Sequence, residues 1–355
     1  MANLLVTGGA GFIGCNFVHY WAKQHPNDLV VVLDALTYAG SESNLEPVKD
    51  HPKFKFVHGD ICDTALVEQL LREHQLDTIV HFAAESHVDR SITGPDAFIQ
   101  TNIIGTYSLL KAARAVWQLS DQPVENHRFH HVSTDEVYGE LNFDDPAFTE
   151  QTPYAPNSPY SASKASSDHL VRAYHHTYGL KVTTSNCSNN YGPYHFPEKL
   201  IPLMIINLLT GKDIPVYGTG ENIRDWLHVE DHARGIDTVL QQGQLGETYN
   251  IGGHNELTNM QVVTAICEAM DNHFAANPDL KVQYPHSRLA QGQSAKESIT
   301  YVTDRAGHDL RYAINPEKLE ALGYQANKTV SVGLAETIDW YLQHRDWWQP
   351  LQQSS

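Results

Sequence analysis

The sequence is short of cysteine and of basic residues, and each shortage excludes a class of protein. Its four cysteines are scattered over 355 residues without a C-x-x-C pair, which is typical of a reducing cytoplasm and unlike a disulfide-stabilised scaffold. Lysine and arginine total 24 against 42 acidic residues, so the net charge is −18. Because nucleic acid needs a basic protein face for its phosphates, we expect no nucleic-acid partner.

Membrane and metal signals are also missing. The longest apolar runs fall far short of a membrane span. The chain leads directly into Leu4, Leu5 and Val6 without the basic region of a signal peptide, so we expect a cytoplasmic protein with no membrane partner. The 21 histidines show no H-E-x-x-H or similar ligand spacing, and no metal site is expected.

The composition that is present suits a globular α/β protein of one large or two medium domains, with 41% hydrophobic and 19% charged residues. Apolar strands alternate with helical patterns, which predicts a Rossmann-like, doubly wound parallel sheet. The predicted strands cover residues 3–7, 29–33, 54–58, 78–84, 128–133 and 181–185. Ligands of such sheets bind beyond the carboxyl ends of the strands.

The second half of the chain has a different character and predicts a smaller C-terminal lobe. We expect a turn at 189–193, followed by helices at 199–210, 231–241 and 259–270, and an irregular polar excursion at 274–298. The predicted division is a dinucleotide-binding domain at 1–185 and a substrate-binding lobe at 186–355. The chain is expected to cross between the two lobes.

A glycine motif stands between the first predicted strand and the first helix. Gly8 allows a tight turn, Gly11 lets the backbone approach a pyrophosphate, and Gly14 lets the helix pack on the strand. The phosphates would lie at the positive end of the helix. An ordinary glycine turn is the alternative, but the strand and helix around the motif favour a dinucleotide site.

Two acidic residues end the next strands and refine the identity of the cofactor. Asp34 follows Gly14 by twenty residues, where a carboxylate accepts from a ribose hydroxyl and repels a 2′-phosphate, so NAD is favoured over NADP. A helix cap is the alternative role for this residue. Asp60 can reach the adenine amino group, although a turn aspartate is its simpler explanation.

Tyr160 and Lys164 form a Tyr-x-x-x-Lys pair, on one face if the segment is helical. Lys164 can bond the nicotinamide ribose and lower the pKa of Tyr160, which would then take a proton from a sugar hydroxyl. Thr134, or alternatively Ser133, would hold the same hydroxyl. The alternative is a pair on an exposed helix surface.

Asp135 and Glu136 are adjacent carboxylates at the end of an apolar run. Carboxylates that share a site tend to have pKa values pushed apart, which leaves one as an acid and the other as a base. This pair suits the elimination of water from a ketosugar: Glu136 would remove the carbon 5 proton and Asp135 would protonate the leaving hydroxyl on carbon 6. A solvated turn is the alternative.

These motifs together resemble the dTDP-glucose 4,6-dehydratases, a family of extended short-chain dehydrogenases/reductases. The segments that carry the resemblance are GGAGFIG, AAESHVDRS, VSTDEVYG, YSASK, SNNYGPYHFPEKLIPL, YGTGENIRDWLHVEDH and DRAGHDLRYAI. The resemblance implies a redox-neutral reaction with tightly held NAD: oxidation at carbon 4, loss of water across carbons 5 and 6, and hydride return to carbon 6. It also implies dTDP-glucose as substrate and dTDP-4-dehydro-6-deoxy-glucose as product, for deoxysugar biosynthesis.

The resemblance also implies a set of binding residues. Those on the cofactor side are Gly8, Gly11, Phe12, Ile13, Gly14, Asp34, Ala35, Leu36, Thr37, Asp60, Ile61, Phe82, Ala83, Ala84, Glu85, Ser86, Thr101, Tyr160, Lys164 and Asn190. Those on the substrate side are Ser86, Thr134, Asn189, Lys199, Leu200, Pro215, Val216, Tyr217, Arg224, Asn259, Asp304, Arg305, Ala306, Gly307 and His308. Ala306 departs from the proline that is usual in this family's loop, without removing a functional side chain.

Physical reasoning assigns roles to some of these residues. Lys199, Arg224 and Arg305 are the cations that a diphosphate needs, and Tyr217 can stack on a pyrimidine. The sequence does not distinguish a dTDP-sugar from a UDP-sugar as the substrate, because thymine and uracil differ by one methyl group. Another nucleotide-sugar dehydratase, epimerase or decarboxylase of the same fold is the alternative function, and a non-catalytic NAD-bound protein is the alternative from another class.

Two helical segments, 97–117 and 160–178, carry apolar residues on more than one face, which is more than contact with one sheet requires. The family resemblance implies that these helices pair into a four-helix dimer interface. We therefore expect a homodimer with twofold symmetry.

Overall fold

The computed structural model describes residues 2–304 and 308–352. Its strands are β1 (Asn3–Thr7), β2 (Leu29–Asp34), β3 (Phe54–His58), β4 (Thr78–His81), β5 (Arg128–Thr134), β6 (Val182–Cys187), β7 (Asn189–Tyr191), β8 (Ile214–Tyr217), β9 (Ile223–His228), β10 (Thr248–Ile251), β11 (Glu256–Thr258) and β12 (Ile299–Val302). Its α-helices are α1 (Phe12–Gln24), α2 (Thr64–Glu73), α3 (Val88–Thr93), α4 (Asp96–Phe98), α5 (Thr106–Trp117), α6 (Pro159–Tyr178), α7 (Leu200–Thr210), α8 (Val229–Gln242), α9 (Asn259–Ala276), α10 (Asp279–Gln283), α11 (Glu317–Glu320), α12 (Val330–Gln343) and α13 (Arg345–Leu351).

The central element of the described chain is a seven-stranded sheet in the order β10-β6-β5-β4-β1-β2-β3. Each pairing within it is parallel. Continuous apolar runs build its buried strands, such as Leu4–Val6 in β1 and Val30–Leu33 in β2. The order reverses between β1 and β4, which is where a ligand crevice forms in a doubly wound sheet. The predicted fold class is confirmed.

Helix α6 carries the Tyr-x-x-x-Lys pair, and its ends follow from local sequence. Ser158 caps its first turn in a reciprocal arrangement with Ser161, and Pro159 occupies the first helical position. Gly179 ends it in the left-handed conformation at φ 70°. The predicted segment 97–117 is helical as well, but a π-helical stretch at Ile99–Gly105 joins α4 to α5.

The C-terminal half builds a second apolar core from residues on α7, α9 and α12. Two local predictions for this half were wrong. Residues 189–191 form strand β7, which pairs with β9, instead of a simple turn. The segment 274–298 is not an irregular excursion, because α9 extends to Ala276, α10 follows, and Leu280, Tyr284 and Leu289 are buried in the second core.

The chain crosses between the two halves. Strand β10 pairs with β6 at the edge of the central sheet, and apolar residues of α8 share a core with α1. The two-lobe division at residue 185 stays a proposal, with 229–251 belonging to the sheet side. Within the described residues, no helix is long and apolar enough to cross a membrane.

Candidate active site

A cavity of about 510 Å³ opens at the carboxyl edge of the central sheet, within the size range of small-molecule sites. The predicted catalytic residues Thr134, Asp135, Glu136, Tyr160 and Lys164 all line it. The predicted cofactor residues that line it are Gly8, Gly11, Phe12, Ile13, Gly14, Asp34, Ala35, Thr37, Asp60, Ile61, Phe82, Ala83, Ala84, Glu85, Ser86, Thr101 and Asn190. The predicted substrate residues that line it are Ser86, Thr134, Asn189, Lys199, Leu200, Pro215, Tyr217, Arg224, Asn259 and His308.

The glycine turn leaves room at one end of this cavity because side chains would not fit. Gly8 has a φ of +70°, and a Cβ there would come within 2.5 Å of the Ala83 nitrogen. A Cβ on Gly14 would lie 2.2 Å from the Gly8 carbonyl oxygen. Helix α1 begins directly after Gly11, so its unpaired N–H groups face the space where a pyrophosphate fits.

Asp34 closes the same end of the cavity. Its Oδ2 accepts from the Ala10 N–H at 2.9 Å, and its Oδ1 accepts from the Leu36 N–H at 2.8 Å. Burial raises the pKa of Asp34, while these two bonds oppose the rise. The glycine cradle, the α1 N-terminus and this carboxylate fit a dinucleotide whose ribose carries a free 2′-hydroxyl.

The catalytic carboxylates lie where β5 ends and a short 3₁₀ turn, Asp135–Tyr138, begins. The Thr134 side chain caps this turn by accepting from the Glu136 N–H at 3.3 Å. Asp135 is 1% exposed and its Oδ2 has no hydrogen-bond partner among the described residues. Burial, and then the charges of Glu136 and Asp225, raise the pKa of Asp135 well above its ordinary value. This environment favours the protonated form of Asp135 over its carboxylate.

Tyr160 and Lys164 lie one helical turn apart on α6, and both are buried. Burial, and then Glu136 and Cys187, raise the pKa of Tyr160 well above its ordinary value, against a hydrogen bond with Thr134 that lowers it. The predicted lowering by Lys164 is therefore wrong for this structure. The Lys164 ammonium donates to the Val132 carbonyl at 2.8 Å, and burial lowers its own pKa.

The other end of the cavity collects cationic and aromatic groups. Lys199 donates to the Ser86 carbonyl at 3.4 Å. The buried guanidinium of Arg224 lies 4.4 Å from the ring centre of Tyr312 and donates to the Asp309 carbonyl at 2.9 Å. Tyr217, at the end of β8, lines the cavity and is 42% exposed, so its side chain is accessible to a ligand.

Three predicted binding residues do not line the cavity. The Val216 side chain points into the second core because it alternates with its strand neighbours on β8. Leu36 packs against the core beside the sheet and donates only its backbone N–H to Asp34. Asp304 instead bonds His308 at 2.7 Å between Oδ1 and Nδ1. The predicted residues Arg305, Ala306 and Gly307 lie outside the described residues.

The sequence interpretation missed a cluster that joins the start of α3 to two loops that line the cavity. Glu198 Oε2 lies 3.1 Å from an Arg90 nitrogen, and its Oε1 lies 3.5 Å from His87 Nε2. The Arg90 guanidinium also lies 4.0 Å from the ring centre of Tyr38. Each residue sits inside or next to a motif that was recognised, but a contact across 108 positions in sequence is visible only after folding.

The residues of this chain match known proteins over nearly its full length. The family model for GDP-mannose 4,6 dehydratase matches residues 5–337. The dTDP-glucose 4,6-dehydratase 1 of Escherichia coli (strain K12) is 53% identical over 354 residues, which cover 97% of this chain and 94% of that protein. The chain belongs to the dTDP-glucose 4,6-dehydratase family. The family member of Xanthomonas campestris pv. campestris (strain B100) is 56% identical over 351 residues, 98% of this chain and 95% of that one.

A solved structure of this dehydratase family agrees with the fold. The dTDP-glucose 4,6-dehydratase of Streptomyces venezuelae, crystallised with NAD bound, has a TM-score of 0.86 and is 48% identical. The match covers 98% of this chain and 99% of that one. The predicted family is therefore confirmed, whereas the roles of individual residues in this member of the dehydratase family stay predictions.

Proposed function

We propose that the chain converts dTDP-glucose to dTDP-4-dehydro-6-deoxy-glucose with bound NAD, as a hydro-lyase of deoxysugar biosynthesis. The observation that carries this proposal is the pair of adjacent carboxyl groups in different environments: Asp135 is buried with a raised pKa, and Glu136 is half-buried beside it. An epimerase or a simple dehydrogenase needs no such acid–base couple next to its Tyr-x-x-x-Lys pair. The names of the relatives favour the same function.

The cofactor would be held by the glycine turn, the α1 N-terminus and Asp34. Bound NAD⁺ supplies reversible hydride transfer, which makes the overall reaction redox-neutral. Ala83 and Ala84 follow β4 and present small side chains across which the dinucleotide can lie, and Phe82 beside them lines the cavity as well. Lys164, which lines the same cavity, would bond the nicotinamide ribose.

Oxidation at carbon 4 would use Tyr160 and Thr134. The Thr134 hydroxyl interacts with Tyr160, so the two can share the carbon 4 hydroxyl of the sugar. Lys164 supplies the positive charge that stabilises Tyr160 as a phenolate, and this phenolate accepts the proton of the carbon 4 hydroxyl and becomes the neutral phenol. Ser133 is not available for this role because its hydroxyl donates to Asp168 at 2.9 Å.

Elimination would use the carboxylates of the 3₁₀ turn. Once carbon 4 is a ketone, the carbon 5 proton is acidic, and Glu136 removes it. Asp135, kept protonated by its burial, gives its proton to the hydroxyl that leaves carbon 6 as water. A carboxyl group with a raised pKa acts as the acid and a more solvated neighbour acts as the base.

The nucleotide would lie at the opposite end of the cavity. Lys199 and Arg224 offer charge-assisted hydrogen bonds to the diphosphate, and Tyr217 offers its exposed ring to the pyrimidine. The two lobes, divided near residue 185, would each hold one ligand.

We also propose that the protein acts in the cytoplasm, in line with four free cysteines and the absence of a disulfide in the described chain.

A homodimer is part of the proposal. Ile92, Ile99, Ile104 and Tyr107 are large apolar residues, each more than 40% exposed, on the helical segment that ends in α5. Tyr178 at the end of α6 is exposed as well. Exposed apolar residues on these neighbouring helical segments favour association through α5 and α6 of two copies.

The test is incubation of the purified protein with dTDP-glucose and, separately, with UDP-glucose. The proposal predicts a 4-keto-6-deoxy product from dTDP-glucose, without net release of reduced cofactor. Release of NADH in proportion to product would identify an ordinary dehydrogenase. A product that is only epimerised, or a preference for UDP-glucose, would favour the alternative enzymes of the same fold.

A further inference from the structure

A buried carboxylate, Asp168, lies one helical turn beyond Lys164 on α6 and is 5% exposed. Its Oδ1 accepts from His131 Nε2 at 3.0 Å. Its Oδ2 accepts from the Ser133 hydroxyl and from the Tyr154 hydroxyl, both at 2.9 Å. Three donors on two oxygens form a well-satisfied site for a negative charge inside the protein.

The donors come from segments that carry the catalytic groups. His131 and Ser133 are alternate residues of β5, so their side chains leave the strand on the same face. The strand continues directly into Thr134 and the 3₁₀ turn. Asp168 therefore ties α6, which carries Tyr160, to the strand that carries the proposed acid–base pair.

The charge of Asp168 is not neutralised by its histidine partner. Burial lowers the pKa of His131, and Lys164 lowers it further. The ring donates through Nε2 to Asp168, while Nδ1 has no partner within the described chain. His131 is therefore the neutral tautomer with its proton on Nε2. The carboxylate of Asp168 lies four residues after Lys164 on the same helix face, and its charge opposes the fall in the Lys164 pKa that burial causes.

We propose that Asp168 is a positioning residue for the dehydratase reaction: it locks β5 against α6 and retains the positive charge of Lys164 beside Tyr160. This inference rests on the proposed roles of Lys164 and Tyr160. Asp168 itself touches neither substrate nor cofactor in this arrangement, and acts through the two elements that it joins.

The other titratable groups around Lys164 do not supply this charge. Burial lowers the pKa of His81 on β4 and of His131 on β5, so both rings are neutral. Burial raises the pKa of the Cys187 thiol on β6 far above neutral pH. Burial lowers the pKa of Lys164, and Asp168 is the foremost of the groups that oppose this fall. Without Asp168, Lys164 would lose its proton at a lower pH.

The test compares Asp168→Asn with Tyr154→Phe, a matched control that removes one donor but keeps the carboxylate. Product formation from dTDP-glucose is measured across pH 6 to 10, together with the melting temperature and the NAD carried through purification. In Asp168→Asn we expect kcat/KM to fall off at a pH lower by about one unit on the alkaline side. Tyr154→Phe should keep the wild-type pH of this decline, even if its rate is lower.

A purely structural role for Asp168 would lower the melting temperature of Asp168→Asn and leave its alkaline decline in place, and that result would overturn the proposal. If Asp168→Asn does not fold, Asp168→Glu decides, because it keeps the charge and misplaces it by one methylene. A reduced rate with an unmoved decline and an unchanged melting temperature supports the proposal, whereas a wild-type rate, a shifted decline or a lowered melting temperature overturns it. Failure of the proposed function would look different, since the unmodified protein would then not convert dTDP-glucose.

Discussion

Replacement of the buried acid, Asp135→Asn, separates the two halves of the proposed reaction. The amide fits the same space but has no acidic proton for the departing hydroxyl. A general acid typically contributes about 10²–10⁴-fold, so turnover should fall by that range. Carbon 4 oxidation does not use this group. Rapid mixing with dTDP-glucose should therefore show a build-up of reduced NAD absorbance that decays slowly.

The matched control for this experiment is Asp144→Asn, at an exposed position in the loop after β5; its turnover should stay at the wild-type value. Glu136→Gln should resemble Asp135→Asn, because both residues act in the elimination step. Carboxamide variants that form no reduced NAD at all would refute the division of roles. They would place these carboxylates in the oxidation step instead.

The substitution Asp135→Asn should also change the stability of the folded protein in a pH-dependent way. The native state holds Asp135 protonated at a pH where the unfolded chain, with a pKa of about 3.9, has released the proton. The native state then binds more protons than the unfolded state, so this residue's contribution to stability falls as pH rises above about 4. An asparagine at position 135 does not ionise, so Asp135→Asn removes this decrease in stability at high pH. The variant should therefore have a higher melting temperature than the wild type at pH 7 but not at pH 3. An equal or lower melting temperature at pH 7 would contradict the burial argument.

Three further outcomes are expected. Tyr160→Phe should block carbon 4 oxidation and show no reduced NAD on rapid mixing, with turnover lower by about 10²–10⁴-fold; formation of reduced NAD would count against its role. Asp34→Asn should lower the amount of NAD that stays bound per subunit and weaken discrimination against NADP. Bound NAD is measured after its release by denaturing the protein, and an amount equal to that of the wild type would contradict the ribose contact. Wild-type protein should sediment as a dimer at micromolar concentration and Ile104→Glu as a monomer, whereas a wild-type species of 39.8 kDa alone would refute the dimer.

The sheet and the glycine turn were predictable because their signals are local. A buried strand must be a continuous apolar run when helices cover both faces, and β1 and β2 are such runs. The turn at Gly8 requires a positive φ, and the position of Gly14 leaves no space for a Cβ atom, so both positions require glycine and both are visible in the sequence. Asp34 ends its strand twenty residues after Gly14, which is the sequence spacing expected for a ribose contact.

Properties that depend on the surroundings of a group were not predictable in the same way. The sign of the Tyr160 pKa shift was wrong because a charge four residues away is visible in sequence, whereas burial and the approach of Glu136 are not. Val216 was assigned to the substrate by the family resemblance, but strand alternation turns it into the core, whereas its neighbours Pro215 and Tyr217 line the cavity. Asp168 gave no sequence signal, since its three donors are brought together only by folding.

The proposed chemistry of the site depends on one short turn that places two neighbouring residues, Asp135 and Glu136, in different environments. Asp135 and Glu136 have side chains of nearly the same chemistry and follow each other in sequence, so their intrinsic acidities cannot distinguish acid from base. The 3₁₀ turn sends successive side chains in different directions, which leaves Asp135 1% exposed while Glu136 stays half-buried on the cavity wall. Burial then makes ionisation of Asp135 costly, and the nearby charge of Glu136 adds to that cost. The turn at the end of β5 thus converts two equivalent carboxyl groups into a proton donor and a proton acceptor.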